Sequence, residues 1–126
     1  MKNIALDKKL MFKALNEAKR GIPYVYPNPA VGCVIYDGSK ILSTGYHKKF
    51  GEIHAEHEAI KNLDEMVKGL TMYVSLEPCT HTGKTGACLD LIDPEVFERV
   101  DIADKDPNSE ASGSIEKLKK SGIKVD

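Results

Sequence analysis

Two apolar, β-branched runs, residues 31–36 and 41–46, flank Asp37-Gly38-Ser39-Lys40. A short polar stretch with a glycine between two such runs signals a β-hairpin, so the chain must build an antiparallel pair. Its surroundings narrow the options further. Before the hairpin, Leu6, Leu10, Met11, Ala14, Leu15 and Ala18 recur at helical spacing, with Gly21 as a stop signal. This predicts an amphipathic helix over residues 6–20. Pro23, Pro27 and Pro29 then force an extended, irregular passage. After the hairpin, the pattern predicts a helix over 56–63, a strand over 71–76, a loop from 77 to 87 and a short helix over 88–92. A strand over 99–104, a helix over 115–120 capped by Gly122, and a final strand over 123–126 follow. A hairpin followed by alternating helices and strands requires one α/β domain, with a mixed sheet covered by helices.

At 126 residues, the chain is of single-domain size, and 41% hydrophobic with 29% charged residues suits a globular core. Lysine plus arginine number 18 against 19 acids, a net charge of −1, which gives no electrostatic footprint for nucleic-acid binding. No apolar run reaches the roughly 18 residues of a membrane span, and the N-terminus has no signal-peptide core. A cytoplasmic protein without a membrane partner is expected. Three cysteines, an odd number without an export signal, argue against a disulfide framework. Cys33 lies in the apolar run Val31-Gly32-Cys33-Val34-Ile35 and reads as a buried core thiol. Cys79 and Cys88 lie among turn residues, where functional thiols are more usual.

The informative constellation is His54-Ala55-Glu56, then Pro78-Cys79, then Cys88. One imidazole and two thiolates make a zinc set with the fourth tetrahedral position open to water, as a catalytic site requires. Zinc lowers the pKa of such a water to about 7. Glu56 is then the natural proton acceptor, able to pass a proton on to a ring nitrogen and a departing amine. Residues two apart inside a helix point in nearly opposite directions. His54 must therefore sit at the entering edge of a helix and Glu56 in its first turn. A structural zinc with His81 or His57 as fourth ligand is the alternative reading.

These residues resemble the zinc-dependent cytidine deaminase-like superfamily, with its His-x-Glu and Pro-Cys signature. More closely, the sequence is similar to the deaminase domain of the bifunctional riboflavin-biosynthesis deaminase/reductases. The stretches that carry the likeness are Pro27-Asn28-Pro29-Ala30-Val31-Gly32-Cys33-Val34, Gly45-Tyr46-His47, Gly51-Glu52-Ile53-His54-Ala55-Glu56, Leu76-Glu77-Pro78-Cys79-Thr80-His81-Thr82-Gly83-Lys84-Thr85 with Cys88, and Asp106-Pro107-Asn108. The eight residues between Cys79 and Cys88 are its most specific part. The resemblance implies a three-layer α/β/α fold with a mixed sheet of about five strands, the whole of 1–126 forming one zinc-dependent deaminase domain. It implies Zn²⁺ held by His54, Cys79 and Cys88, with Glu56 as the catalytic proton shuttle. Asn28, His47, His81, Lys84, Asp106 and Asn108 become substrate-pocket candidates. The implied substrate is a small phosphorylated pyrimidine, the diaminopyrimidinone ribosylamino 5′-phosphate of riboflavin biosynthesis, and the implied assembly is a homo-oligomer.

The sequence also departs from the family pattern. Gly86-Ala87 replaces the usual proline pair, Ser109 stands where proline is usual, and the residues end where a reductase domain would begin. His57-Glu58 replaces an apolar residue and, often, asparagine, so Glu58 is expected to change substrate contacts or to add negative charge beside the site. The rival readings are a nucleoside, nucleotide or nucleobase deaminase of the same fold, and a non-catalytic zinc-stabilised binding module.

Overall fold

Asn3 starts the first helix: its side-chain oxygen accepts the Leu6 N–H at 3.1 Å, satisfying a donor that the first turn leaves open. The structure, a computed structural model, describes residues 3–26, 29–49, 52–65, 67–76, 91–103 and 114–126. In it this helix, α1, spans Ile4–Lys19. Leu6, Leu10, Ala14 and Ala18 turn inward as their spacing predicts. Leu15 does not: it is 40% exposed, while Asp7 and Glu17 are buried. Gly21 is needed for its lack of a side chain, not as a left-handed cap. A Cβ there would lie 2.2 Å from the carbonyl oxygen of His47.

The hairpin forms where expected, as β1 (Gly32–Tyr36) and β2 (Ile41–Tyr46). The Asp37 carboxylate accepts the N–H groups of Ser39 and Lys40 at 2.7 and 2.8 Å, and these bonds lower its pKa. Gly38 takes φ +101°, which only glycine adopts without strain. The remaining elements are α2 (Ala55–Lys61), β3 (Leu70–Val74), β4 (Phe97–Ile102), α3 (Ser114–Lys120) and β5 (Lys124–Val125). Gly122, at φ +99°, turns the chain at the end of α3 as anticipated. The helix expected over 88–92 falls mainly outside the described residues.

Among the described residues the sheet has five strands in the order β2-β1-β3-β4-β5. β1 runs antiparallel to both its neighbours, whereas β3, β4 and β5 are parallel. Strand alternation divides the core in two. Val34 and Tyr73 meet Leu10 and Ala14 of α1 on one face. Cys33, Ile35, Met72, Val74 and Val100 meet Ala55 and Ala59 of α2 and Leu118 of α3 on the other. The three-layer α/β/α architecture is therefore present. Each large side chain buried in it, such as Phe97 or Leu70, contributes about 1.5–3 kcal/mol.

A polar network fastens α1 to the sheet. Arg99 donates two parallel bonds to Asp7, from Nη1 to Oδ1 at 2.9 Å and from Nη2 to Oδ2 at 2.8 Å. The Tyr73 hydroxyl donates to the same Oδ1 at 2.7 Å. Arg99 also meets Asp101 and, through Nε, Asp126. The bonds to Asp7 hold Arg99 charged, and burial, with Asp7 beside it, pushes the Tyr73 hydroxyl far above its ordinary pKa.

The topology collects several chain segments at one end of the sheet. Gly32 pairs with Tyr46, Cys33 with Val74, and Val74 with Ile102. The start of β1 thus lies beside the ends of β2, β3 and β4. In open α/β sheets, ligands bind outside strand ends of this kind, where the strand order reverses.

Candidate active site

At that end of the sheet the chain leaves β2 through His47 and reaches α2 through His54. The His47 N–H donates to the Val31 carbonyl at 3.1 Å, continuing the pairing beyond the strand. Its imidazole is buried, with Nδ1 3.1 Å from the Ile53 carbonyl. A carbonyl can only accept, so Nδ1 carries the proton and Nε2 is left as an acceptor when the ring is neutral. Burial lowers the pKa of His47, and His54 adds in the same sense; the Ile53 carbonyl and Glu52 oppose them. The His47 and His54 rings meet edge to face, 5.0 Å between centroids and 87° between planes.

His54 is the N-cap of α2, with φ −78° and ψ 170°, and its side chain does not cap the helix. Glu56 lies in the first turn and is only 3% exposed. This arrangement removes the objection to a His-x-Glu pair: the extended φ/ψ of the N-cap sets His54 apart from the helical geometry that begins at Ala55. The negative charge of Glu56 also reaches Cys33, whose thiol is raised by burial first and by Glu56 second. Cys33 is thus the buried core thiol that the sequence implied. It is expected to stay unlabelled by thiol reagents at pH 8 until the protein unfolds. Peptide mapping after timed alkylation measures this; labelling of Cys33 within about tenfold of a free thiol's rate would contradict it.

Three contacts seat α2. At Gly45 of β2, a Cβ would lie 2.5 Å from both the Ala55 oxygen and the Ala59 nitrogen, so only glycine lets the helix lie this close. Ser43 Oγ donates to the Ala59 carbonyl at 2.7 Å, and Asn62 Nδ2 to the Thr44 carbonyl at 3.2 Å. The negative charge expected of Glu58 is present but partly offset by a neighbouring lysine. Its carboxylate pairs with Lys48 Nζ at 3.3 Å.

Of the site residues inferred from sequence, the structure brings together His47, His54 and Glu56. Asn28, Cys79, His81, Lys84, Cys88, Asp106 and Asn108 lie outside the described residues. Their neighbours in sequence do not: Pro29 leads into β1, Leu76 follows β3 and Ala103 follows β4, all at the end of the sheet that holds His54. His57, weighed as a fourth ligand, lies on α2. Sequence reasoning missed the seating role of Gly45 and the contacts of Ser75, described below. A glycine inside an alternating strand was the available signal for the first.

The donor chemistry suits a zinc ion. The His54 imidazole makes no capping bond to its helix, a buried carboxylate stands two residues on, and two cysteines follow in the sequence. Comparison with known proteins decides the family. The family model of the cytidine and deoxycytidylate deaminase zinc-binding region matches residues 4–103. The chain belongs to this deaminase family. Within it, the chain is 47% identical over 122 residues to the riboflavin biosynthesis protein RibD of Aquifex aeolicus, covering 96% of this chain and 34% of that protein. It is 44% identical over 120 residues to the diaminohydroxyphosphoribosylamino-pyrimidine deaminase of Buchnera aphidicola subsp. Schizaphis graminum, covering 94% and 82%. The crystal structure of the Thermotoga maritima diaminohydroxyphosphoribosylaminopyrimidine deaminase/5-amino-6-(5-phosphoribosylamino)uracil reductase superposes with a TM-score of 0.92 at 39% identity, over 96% of this chain and 36% of that one. The chain therefore spans about a third of the RibD relatives it matches and most of the Buchnera deaminase. The resemblance seen in the sequence, and the deaminase fold it implied, both hold. No helix among the described residues is long and apolar enough to cross a membrane.

Proposed function

We propose that residues 1–126 form one zinc-dependent hydrolytic deaminase domain acting on the diaminopyrimidinone ribosylamino 5′-phosphate of riboflavin biosynthesis. The reaction consumes water, replaces the ring amino group with a carbonyl oxygen and releases ammonia. The observation that carries this reading is the buried Glu56 in the first turn of α2, next to the N-cap His54. A zinc that only held the fold together would have no use for a buried carboxylate beside it. The 44% identity to the Buchnera deaminase supports the choice of substrate.

His54, Cys79 and Cys88 would hold the zinc, which supplies the Lewis acidity that makes water a nucleophile near neutral pH. Glu56 takes a proton from the attacking water on a carboxyl oxygen and hands it to the adjacent ring nitrogen; it then takes the second proton from the added hydroxyl, as the carbonyl forms, and passes it to the departing amine. His47 accepts a substrate N–H at Nε2, because Ile53 occupies its Nδ1 proton. Asn28, His81, Asp106 and Asn108 supply amide, imidazole and carboxylate groups for the polar ring, and Lys84 meets the phosphate. The working form is a homo-oligomer, as the resemblance implies, located in the cytoplasm, as expected from the composition.

The test is ammonia release by purified, zinc-loaded protein, comparing the riboflavin intermediate with cytidine, deoxycytidylate and guanine. One zinc per chain and a clear preference for the riboflavin intermediate are expected. Preference for deoxycytidylate would move the assignment to the nucleotide deaminases, and zinc binding without turnover would favour a binding module. Lys84→Ala is expected to weaken phosphorylated substrate roughly 10- to 150-fold through KM, the equivalent of about 1.5–3 kcal/mol for one charge-assisted hydrogen bond. Equal losses on phosphorylated and dephosphorylated substrate would remove Lys84 from the phosphate.

A further inference from the structure

The corner where β1 begins is closed by a hydroxyl with no part in the ligand and proton roles above. Ser75, the first residue beyond β3, is buried, and its Oγ accepts the Gly32 N–H at 3.0 Å. Its own N–H donates to the Gly32 carbonyl at 3.0 Å. One residue earlier, the Val31 carbonyl accepts the His47 N–H. The backbone of Val31 and Gly32 therefore grips three segments at once: its own approach from Asn28, the exit of β2 through His47, and the exit of β3 towards Glu77-Pro78-Cys79. The corner has little room to shift, because a Cβ on Gly32 would lie 1.8 Å from the Ala14 oxygen of α1.

Cys79 lies four positions after Ser75, a span of at most roughly 14 Å of chain, so the direction in which β3 ends limits where that thiolate can go. We propose that Ser75 is a positioning residue: by holding the Gly32 N–H, its hydroxyl fixes how the chain leaves β3 through Leu76, three positions before Cys79 in the sequence. The backbone bond from Ser75 to the Gly32 carbonyl survives loss of the hydroxyl. The Gly32 N–H does not keep its partner, and a buried unpaired donor opens the corner to find water. The kinetic part of this inference rests on the zinc deaminase reading; the structural part does not.

The experiment compares zinc-loaded wild type, Ser75→Ala and Ser75→Thr, with Ser121→Ala as a control that removes a distant hydroxyl bonded to the Leu118 carbonyl. Ser75→Ala is expected to weaken zinc affinity 10- to 100-fold and alter the thiolate-to-cobalt absorption of the Co²⁺-substituted protein. Its kcat at saturating zinc falls at least tenfold, with KM changed less. Ser75→Thr, which keeps the hydroxyl, restores both to within about threefold, and Ser121→Ala changes neither. Amide exchange by mass spectrometry supplies a readout independent of zinc: Ser75→Ala is expected to lose protection at Gly32 and also at His47, whose N–H bonds the neighbouring Val31 carbonyl. Loss confined to Gly32, or wild-type metal affinity and kcat in Ser75→Ala, would overturn the proposal. If Ser75→Ala does not fold, Ser75→Thr against Ser75→Val makes the same comparison of hydroxyl with methyl. Wild-type protein that neither binds zinc nor releases ammonia would sink the functional reading alone, and the exchange result would still decide the role of Ser75.

Discussion

Glu56→Gln is expected to keep the fold and the zinc and to lose about 10²–10⁴-fold in kcat. The substitution preserves the volume of a side chain that is almost completely buried, so α2 stays seated on β2. It removes the buried carboxylate of the first turn of α2, which can both accept and return a proton. A loss of that size corresponds to about 3–5 kcal/mol of transition-state stabilisation. Because the proposed mechanism has Glu56 move protons for three separate atoms, the upper end is expected. The measurement is steady-state kcat beside metal content and thermal melting on the same preparation. Activity within a few-fold of the parent, at unchanged metal content, would exclude Glu56 from the mechanism.

Gly32→Ala is expected to be the most damaging single-methyl change for stability. The added Cβ would stand 1.8 Å from the Ala14 oxygen and 2.6 Å from the Ala18 nitrogen, both backbone atoms of α1 that cannot rotate away. Either α1 lifts from β1 and opens the packing of Leu10, Ala14, Val34 and Tyr73, or β1 shifts and strains its pairing with β2 and β3. Overpacking of this kind costs about 3 kcal/mol or more. For a domain of this size that is a fall of about 10–20 °C in Tm. Gly38→Ala is the contrast. Nothing lies within 4 Å of its Cβ, so only the positive φ is penalised, at about 1 kcal/mol. Denaturant titration of both variants decides the point, and equal stabilities would show that α1 does not rest on Gly32.

The candidate site was legible in part for the same reason that the fold was. His54, Glu56 and the two later cysteines are recognisable because zinc deamination needs those residue types in that order, whatever surrounds them. His47 could be named as a candidate from the resemblance alone. That its Nδ1 is committed to Ile53, leaving Nε2 as the acceptor, depends on how the turn between β2 and α2 folds back. Glu58 illustrates the reverse case. Its sequence position suggested a charge beside the site, but Lys48, ten positions earlier and on the other side of that turn, pairs with it.

What the sequence determined by itself was local: the hairpin at Asp37-Gly38-Ser39-Lys40, the amphipathic first helix ahead of Gly21, the turn at Gly122 and the order of helices and strands. Turn chemistry, capping and hydrophobic periodicity act over a few neighbouring residues, so they can be read in one dimension. Only the tertiary structure decided which face of α1 is buried at its margins, with Glu17 inside and Leu15 outside. That depends on how the helix rolls against the missing side chain of Gly32. It likewise decided that Gly21 and Gly45 are required by backbones passing close to them, and that Ser75 holds Gly32, 43 positions away. Contacts between segments distant in the chain leave no periodic trace, because each is set by the packing of both partners and not by the neighbours of either.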